Sequence, residues 1–250
     1  MRTIRIYTPQ ELEAGSSITL EPAASQHLIQ VLRLKPGSHF SLFNGNGFDF
    51  NTTLLEANKR ACKVEISNPG EKEDSNGLKI TLALGISKGE RMDFAIQKSV
   101  ELGVSTIVPV ITQRSVVRLD KERQQKKVDH WKKIAINACE QSGRRRLAEV
   151  TSIQPVSEWL SRDAEDTLKL LLHTQNELPI TCVDAPSPSQ GIALLIGPEG
   201  GLADSEVQQA LDSDYKPIRL GPRILRTETA PLAAIAAIQT LWGDFRDWPR

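Results

Sequence analysis

The stretch LLIGPEGGLADSEV, Leu194 to Val207, decides how the chain is read. An apolar run stops at Gly197, a proline and two further glycines follow, and a helix-like run begins beyond them. Such punctuation marks backbone that must approach something closely. In an α/β sheet, the carboxyl end of a strand ahead of a helix is where ligands bind. Two phosphate cradles do not fit the spacing. A P-loop needs a second glycine five residues on and then a lysine, but Leu202 stands five residues after Gly197 and no lysine follows. The dinucleotide fingerprint fails because the glycines fall at 197, 200 and 201. The sequence GNG at 45–47 lacks a third glycine and lies among strand-like runs, so it reads as a hairpin turn.

A single glycine-rich turn is also how a tight strand-to-helix connection reads. A second one changes the weighting. SDYKPIRLGPRILRTETAPLAA, Ser213 to Ala234, again passes from a β-like segment through Gly221-Pro222 into a helix. Two Gly-Pro turns leaving one sheet predict a pocket built mostly of main-chain groups, suited to the edge of an adenine.

Outward from these turns, apolar runs alternate with helical patterns, as in an α/β domain with a parallel sheet. LKITLALGI, STIVPVI, LKLLLH and IALLIG are the expected strands. Expected helices run from Glu90 to Leu102, closed by Gly103, from Lys121 to Ser142, from just after the opening stretch, and from Thr229 to Trp242. The first seventy residues read differently. SHFSLFNG, FDFNTTLLEA and RACKVEIS are strand-like and separated by turn signals, which predicts a small β-barrel. One helix interrupts them, Ala24 to Leu34, with Leu28, Val31 and Leu32 on one face. The polar stretch Asn68–Gly77 reads as an interdomain linker.

Composition is that of a soluble globular protein, with 39% hydrophobic and 25% charged residues. No apolar run approaches the roughly 20 residues of a membrane helix and the start lacks a signal-peptide core, so a cytoplasmic protein without membrane attachment is expected. The three cysteines, Cys62, Cys139 and Cys182, are far apart and outside metal-ligand spacing, so structural thiols and no metal are expected. The net charge is zero, yet it is unevenly placed. Thr112 to Leu147 holds eleven Lys or Arg, Arg118 among them, against four acids. That excess suits phosphate contacts and is also how a solvated helix face reads. Trp131 and Trp159 read either as base-stacking residues or, at helical spacing, as core.

GPEGG and LGPRILRTETA, together with HLIQVLRLKPG, KGERMDFAIQKSVELGVSTIVPVITQRS and NACEQSGR, resemble the SPOUT methyltransferases. Within them they are most similar to the 16S ribosomal RNA uridine-N3 methyltransferases, the family acting on uridine 1498 of the small subunit. The resemblance implies a PUA-like, RNA-binding barrel over residues 1–72. It also implies an α/β methyltransferase domain over 73–250, with a parallel sheet and a trefoil knot around S-adenosyl-L-methionine. By the same resemblance, His173, Leu195, Gly197, Gly200, Gly201, Leu220, Gly221, Ile224 and Leu225 hold the cofactor. Arg33, Arg114, Gln141 and Arg144 contact the 16S RNA, and the last helix joins two protomers of a homodimer.

Methylating uridine N3 requires its proton to leave, which calls for a general base or a cation stabilising the anion. Arg226 is the candidate cation, with Glu228 or Glu199 assisting proton removal. Glu228 and Thr229 read equally as the start of the last helix. Ala203 stands where relatives carry Ser or Thr, and Asp204 is expected to take over that helix cap. Two alternatives stay open: a non-catalytic RNA-binding or assembly factor, and methylation at another RNA position.

Overall fold

A computed structural model of the chain describes residues 4–73, 77–115, 120–162, 166–173 and 178–246. The chain divides into two units, one comprising residues 1–75 and 139–147, the other 76–138 and 148–250.

In the first unit, β1 (Arg5–Tyr7), β2 (Ser17–Thr19), β3 (His39–Phe43), β4 (Phe48–Glu56) and β5 (Lys63–Lys72) form one sheet in the order β1-β3-β4-β5-β2. β1 runs parallel to β3, and the other pairs are antiparallel. Alternate residues face inward, so Ile6, Leu42, Leu54 and Val64 meet Leu20 and Leu28 in a closed core. The Asn44–Gly47 turn joins β3 to β4 as a hairpin.

Two expectations are corrected here. The first half of the supposed linker belongs to β5, which continues to Lys72 with Pro69 opposite Phe50 at a register shift. A proline cannot donate to the ladder, and a bulge is where that costs least. Residues 74–76 of that stretch lie outside the described residues. The expected helix over 24–34 is instead α1 (Pro22–Gln26) followed by a π-helical turn, His27–Val31, in which Leu32 N–H reaches the His27 carbonyl five residues back. The wider turn rotates Val31 off the buried stripe, leaving it 68% exposed while Leu28 stays buried.

The second unit is the α/β part. β6 (Ile80–Gly85), α2 (Glu90–Glu101), β7 (Thr106–Ile111), α3 (Lys121–Ser142), β8 (Glu149–Val150), β9 (Gln154–Pro155), α4 (Val156–Leu160), β10 (Thr167–Leu172), β11 (Gly191–Ile196), α5 (Asp204–Asp212), β12 (Lys216–Ile218) and α6 (Thr229–Trp242) follow in order. Every strand pairing is parallel, in the order β12-β10-β11-β6-β7-β8, with β9 also on β7. A parallel sheet covered on both faces needs unbroken apolar strands, and β6, β7 and β11 supply Leu82, Ile107, Val108, Leu194 and Leu195. The four strands read from apolar runs are all present. β12 lies in the β-like segment read ahead of Gly221, whereas short β8 and β9 carry too few residues for a period to be read.

α3, which ends among the residues of the first unit, buries Val128, Trp131, Ala135 and Ala138 and exposes Lys132 and Lys133. Trp131 is therefore core, its Nε1 donating to Asp93, and Trp159 packs on the core cluster of the sheet. Part of the basic excess is compensated locally, Lys126 by Glu122 and Arg123 by Asp120. Arg118 lies outside the described residues. Cys62 and Cys139 are buried as expected of structural thiols, whereas Cys182 is exposed.

Candidate active site

The register that pairs Ile196 with Leu84 brings the end of β11 beside Gly85, the last residue of β6. The chain then turns across the sheet end as Gly197-Pro198. A Cβ on Gly85 would lie 2.4 Å from the Pro198 nitrogen, so only glycine lets the turn pass there. A Cβ on Gly200 would meet the Arg114 Cβ at 3.0 Å, so the tip of the turn packs tightly, though less so, against the loop after β7. With the second Gly-Pro turn after β12 and the end of β10, these segments wall a cavity of about 680 Å³. That is a volume suited to a cofactor.

His173, Gly197, Gly200, Gly201, Leu220, Gly221, Ile224 and Leu225 all line it. Leu195 does not: its side chain faces the sheet core with Ala83 and Val108, and its strand neighbour Ile196 lines the wall instead. Side chains alternate across a strand, so the sequence placed the right strand and one wrong face. Arg226, Glu228 and Glu199 are also at the cavity.

Sequence reading missed Arg91, Arg219, Arg223, Asp204 and Thr227, which line it too. Thr227 ties the two turns together, its Oγ1 lying 3.1 Å from Ser87 Oγ and 3.5 Å from the Gly197 carbonyl. Five arginines face three carboxylates around this wall. The glycine turn has no positive charge of its own, and three neighbouring segments supply it. The KGER motif after β6 held a signal for Arg91, since it leaves the same sheet edge.

The two candidate bases differ electrically. Burial alone would raise the Glu199 carboxyl, but its own N–H, the Lys88 N–H and the Arg91 guanidinium outweigh that and hold it below the usual glutamate value. Its Oε1 accepts from Lys88 N at 3.1 Å and Arg91 Nη1 at 3.3 Å. Glu228 is half-buried, with Arg226 Nη1 4.0 Å from its Oε1, while the rest of the Arg226 side chain reaches into solvent at 83% exposure. The Arg226 carbonyl meanwhile accepts the N–H groups of Thr229 and Ala230, so the first turn of α6 fixes where this side chain starts.

The cap of α5 differs from expectation. Asp204 is solvent-exposed and pairs with Arg114 at 3.7 Å. Ala203 has no side-chain acceptor, and Glu206 reaches back to the Ala203 N–H at 2.8 Å. Only that half of a capping box is available to an alanine. Arg114, expected on the RNA, packs on the glycine turn and donates to the Gly200 carbonyl at 3.3 Å.

The other residues expected on the RNA, Arg33, Gln141 and Arg144, lie in the first unit. The loop that closes α3, EQSGRRR, is held by charged residues of other segments together with its own. Arg5 donates to the carbonyls of Cys139 (2.7 Å) and Arg144 (2.9 Å). Asp49 pairs with Arg5 at 2.7 Å and with Arg145 at 2.9 Å. Glu73 accepts the N–H groups of Arg145 and Arg146, and Glu140 accepts the Tyr7 N–H at 2.9 Å. Burial pushes the Glu140 carboxyl up, against the Tyr7 N–H, His27 and Arg5, which pull it down. The Arg144 main chain is thus fixed, and Gln141 is exposed one turn earlier. Arg33 is exposed just beyond the π-helical turn with φ +55°, a conformation that non-glycine residues seldom take.

Comparison with known proteins adds an independent line. A family model described as an RNA methyltransferase domain matches residues 74–239, and one described as an RNA methyltransferase PUA domain matches 20–67. The chain is 34% identical to a ribosomal RNA small subunit methyltransferase E of Buchnera aphidicola, covering 97% of this chain and 95% of that one. It is 32% identical to the Bacillus subtilis protein of the same name, over 92% of this chain and 93% of the other. A crystal structure of such an enzyme from Neisseria gonorrhoeae bound to S-adenosyl methionine is similar at TM-score 0.90 and 40% identity, covering 98% of this chain and 100% of that one.

Proposed function

The chain belongs to the ribosomal RNA small subunit methyltransferase E family, and from that premise we propose that it methylates N3 of one uridine, uridine 1498, in 16S ribosomal RNA in the cytoplasm. S-adenosyl-L-methionine supplies the methyl group on an already activated sulfonium, so the protein's task is positioning and charge. The observation that carries this reading is the cavity of about 680 Å³, walled by the main chain of two Gly-Pro turns where any Cβ at Gly85 would intrude. It suits an adenosine held by amides and carbonyls, and the fold is the SPOUT type expected from the resemblance.

On this reading Arg226 stabilises the uridine anion and Glu228 receives the N3 proton. The paired Glu199 is the weaker base, because Arg91 and Lys88 hold its carboxyl low. Its use is to fix the mouth of the glycine turn. Arg33, Gln141 and Arg144 hold the RNA from the first unit. Two protomers associate through α6, where Ala233, Ala236, Ala237 and Leu241 are half-buried on the outer face. Light scattering that finds a stable active monomer contradicts that last element.

Calorimetric titration with S-adenosyl-L-methionine tests the cofactor assignment. Stoichiometric binding supports it. No binding favours the alternative of a non-catalytic RNA-binding factor.

A further inference from the structure

Glu206 is a buried carboxylate, 5% exposed, that the reaction outlined above does not use. Its Oε2 accepts the Ala203 N–H at 2.8 Å, as the helix start requires. Its Oε1 accepts the Gln113 N–H, also at 2.8 Å, from the loop after β7, and a helix cap needs no such partner. The Gln113 side chain returns the tie, donating to Ser205 Oγ at 3.0 Å. The loop is also folded on itself, with the Thr112 N–H on Ser115 Oγ at 3.0 Å. The next residue after Gln113 is Arg114, which braces the Gly200 carbonyl and reaches Asp204.

We propose that Glu206 is a positioning residue for cofactor binding: it ties the TQRS loop to the start of α5 and so sets Arg114 against the glycine turn that walls the cavity. A carboxylate at a helix N-terminus, between two main-chain donors, is strongly held and strongly missed when removed. The inference rests on the cavity's being the S-adenosyl-L-methionine site.

Four variants test it in calorimetry with S-adenosyl-L-methionine: E206Q, E206D, R114A and the double variant E206Q/R114A. In E206Q the amide accepts from one N–H and turns its NH₂ toward the other, so the dissociation constant rises about tenfold. E206D keeps two acceptor oxygens and recovers part of the affinity. The single-turnover rate at saturating cofactor changes much less than the affinity, because the wall serves bound and reacting states alike.

The double variant loses less than the product of the single losses, since both act through one contact. Hydrogen exchange at the Gln113 amide is faster in E206Q. Losses that multiply, or a Gln113 amide equally protected in E206Q, overturn the inference while leaving the cofactor assignment standing. A wild-type protein that binds no S-adenosyl-L-methionine sinks both. Should E206Q not fold, E206D with R114A carries the same test.

Discussion

The cavity turns of the α/β unit and the EQSGRRR loop of the first unit are both irregular chain fixed in one shape, by opposite means. The turns hold their course through main chain and missing side chains: a methyl group is blocked at Gly85 and crowded at Gly200. The loop holds its course through charge: Arg5, Asp49 and Glu73 reach it from strands or chain far away in sequence, and its own Glu140 accepts the Tyr7 N–H. The first design brings main chain to the wall of a cavity. The second consumes side chains to present others, among them Arg144, at a fixed place.

The difference explains what could be read beforehand. Glycine and proline at fixed offsets are a local signal, so GPEGG and LGPR revealed both walls, and eight of the nine residues expected to hold the cofactor line the cavity. Leu195 was expected at the wall and packs in the sheet core instead, because the face of a strand depends on which neighbour covers it. The ion network was illegible, since Arg5 and the Arg144 carbonyl are 139 residues apart and nothing in either segment announces the other. The contacts of Glu206 and Arg114 were illegible for a related reason. A motif such as TQRS shows a basic side chain, and the partner that captures it lies on another element. The four long strands were plain from their apolar runs, but the π-helical turn was not, because one inserted residue leaves the hydrophobic spacing looking helical.

Perturbing each region should give contrasting signatures. The largest effect is expected at the wall: Gly85→Val forces the Gly197-Pro198 turn to move, and a shift of about 1 Å is enough to cost two orders of magnitude. Calorimetry should find cofactor binding below detection. Retention of normal affinity would show that the turns are not the wall.

Asp49→Ala instead leaves Arg5 and Arg145 without their shared carboxylate at a site where the Arg5 side chain is 9% exposed. Urea unfolding should show a loss of about 3 kcal/mol, with cofactor affinity unchanged. Equal damage to cofactor binding would erase the contrast between the two regions.

Arg226→Ala should lower the single-turnover rate by about a hundredfold, the scale of one lost charge-stabilising contact, while leaving cofactor affinity in place. An unchanged rate at saturating RNA removes Arg226 from the chemistry.

The two carboxylates give a smaller, opposite pair of pH effects. Burial raises Glu140 in the fold, so its contribution to stability is complete below the ordinary glutamate value of about 4.3 and is lost as pH rises through the raised one. Glu199 is lowered, so its contribution is present above that ordinary value and is lost as pH falls through the lowered one. Glu140→Gln should flatten the decline of stability on the rising side, and Glu199→Gln the decline on the acid side, in unfolding measured across pH. Identical slopes in both variants contradict these environments.

The smallest effect is expected for Lys132→Ala and Lys133→Ala on the exposed face of α3. Stability should hold within about 0.5 kcal/mol. RNA affinity should fall modestly, with a shallower salt dependence.

The most direct test of the central claim is to incubate the protein with S-adenosyl-L-methionine and unmethylated small subunits, then locate added mass in the 16S ribosomal RNA by mass spectrometry. The account predicts one methyl group, on N3 of a single uridine, transferred about a hundredfold more slowly by Arg226→Ala. A methyl on a ribose or another base, or no transfer by a protein that binds the cofactor, would contradict it.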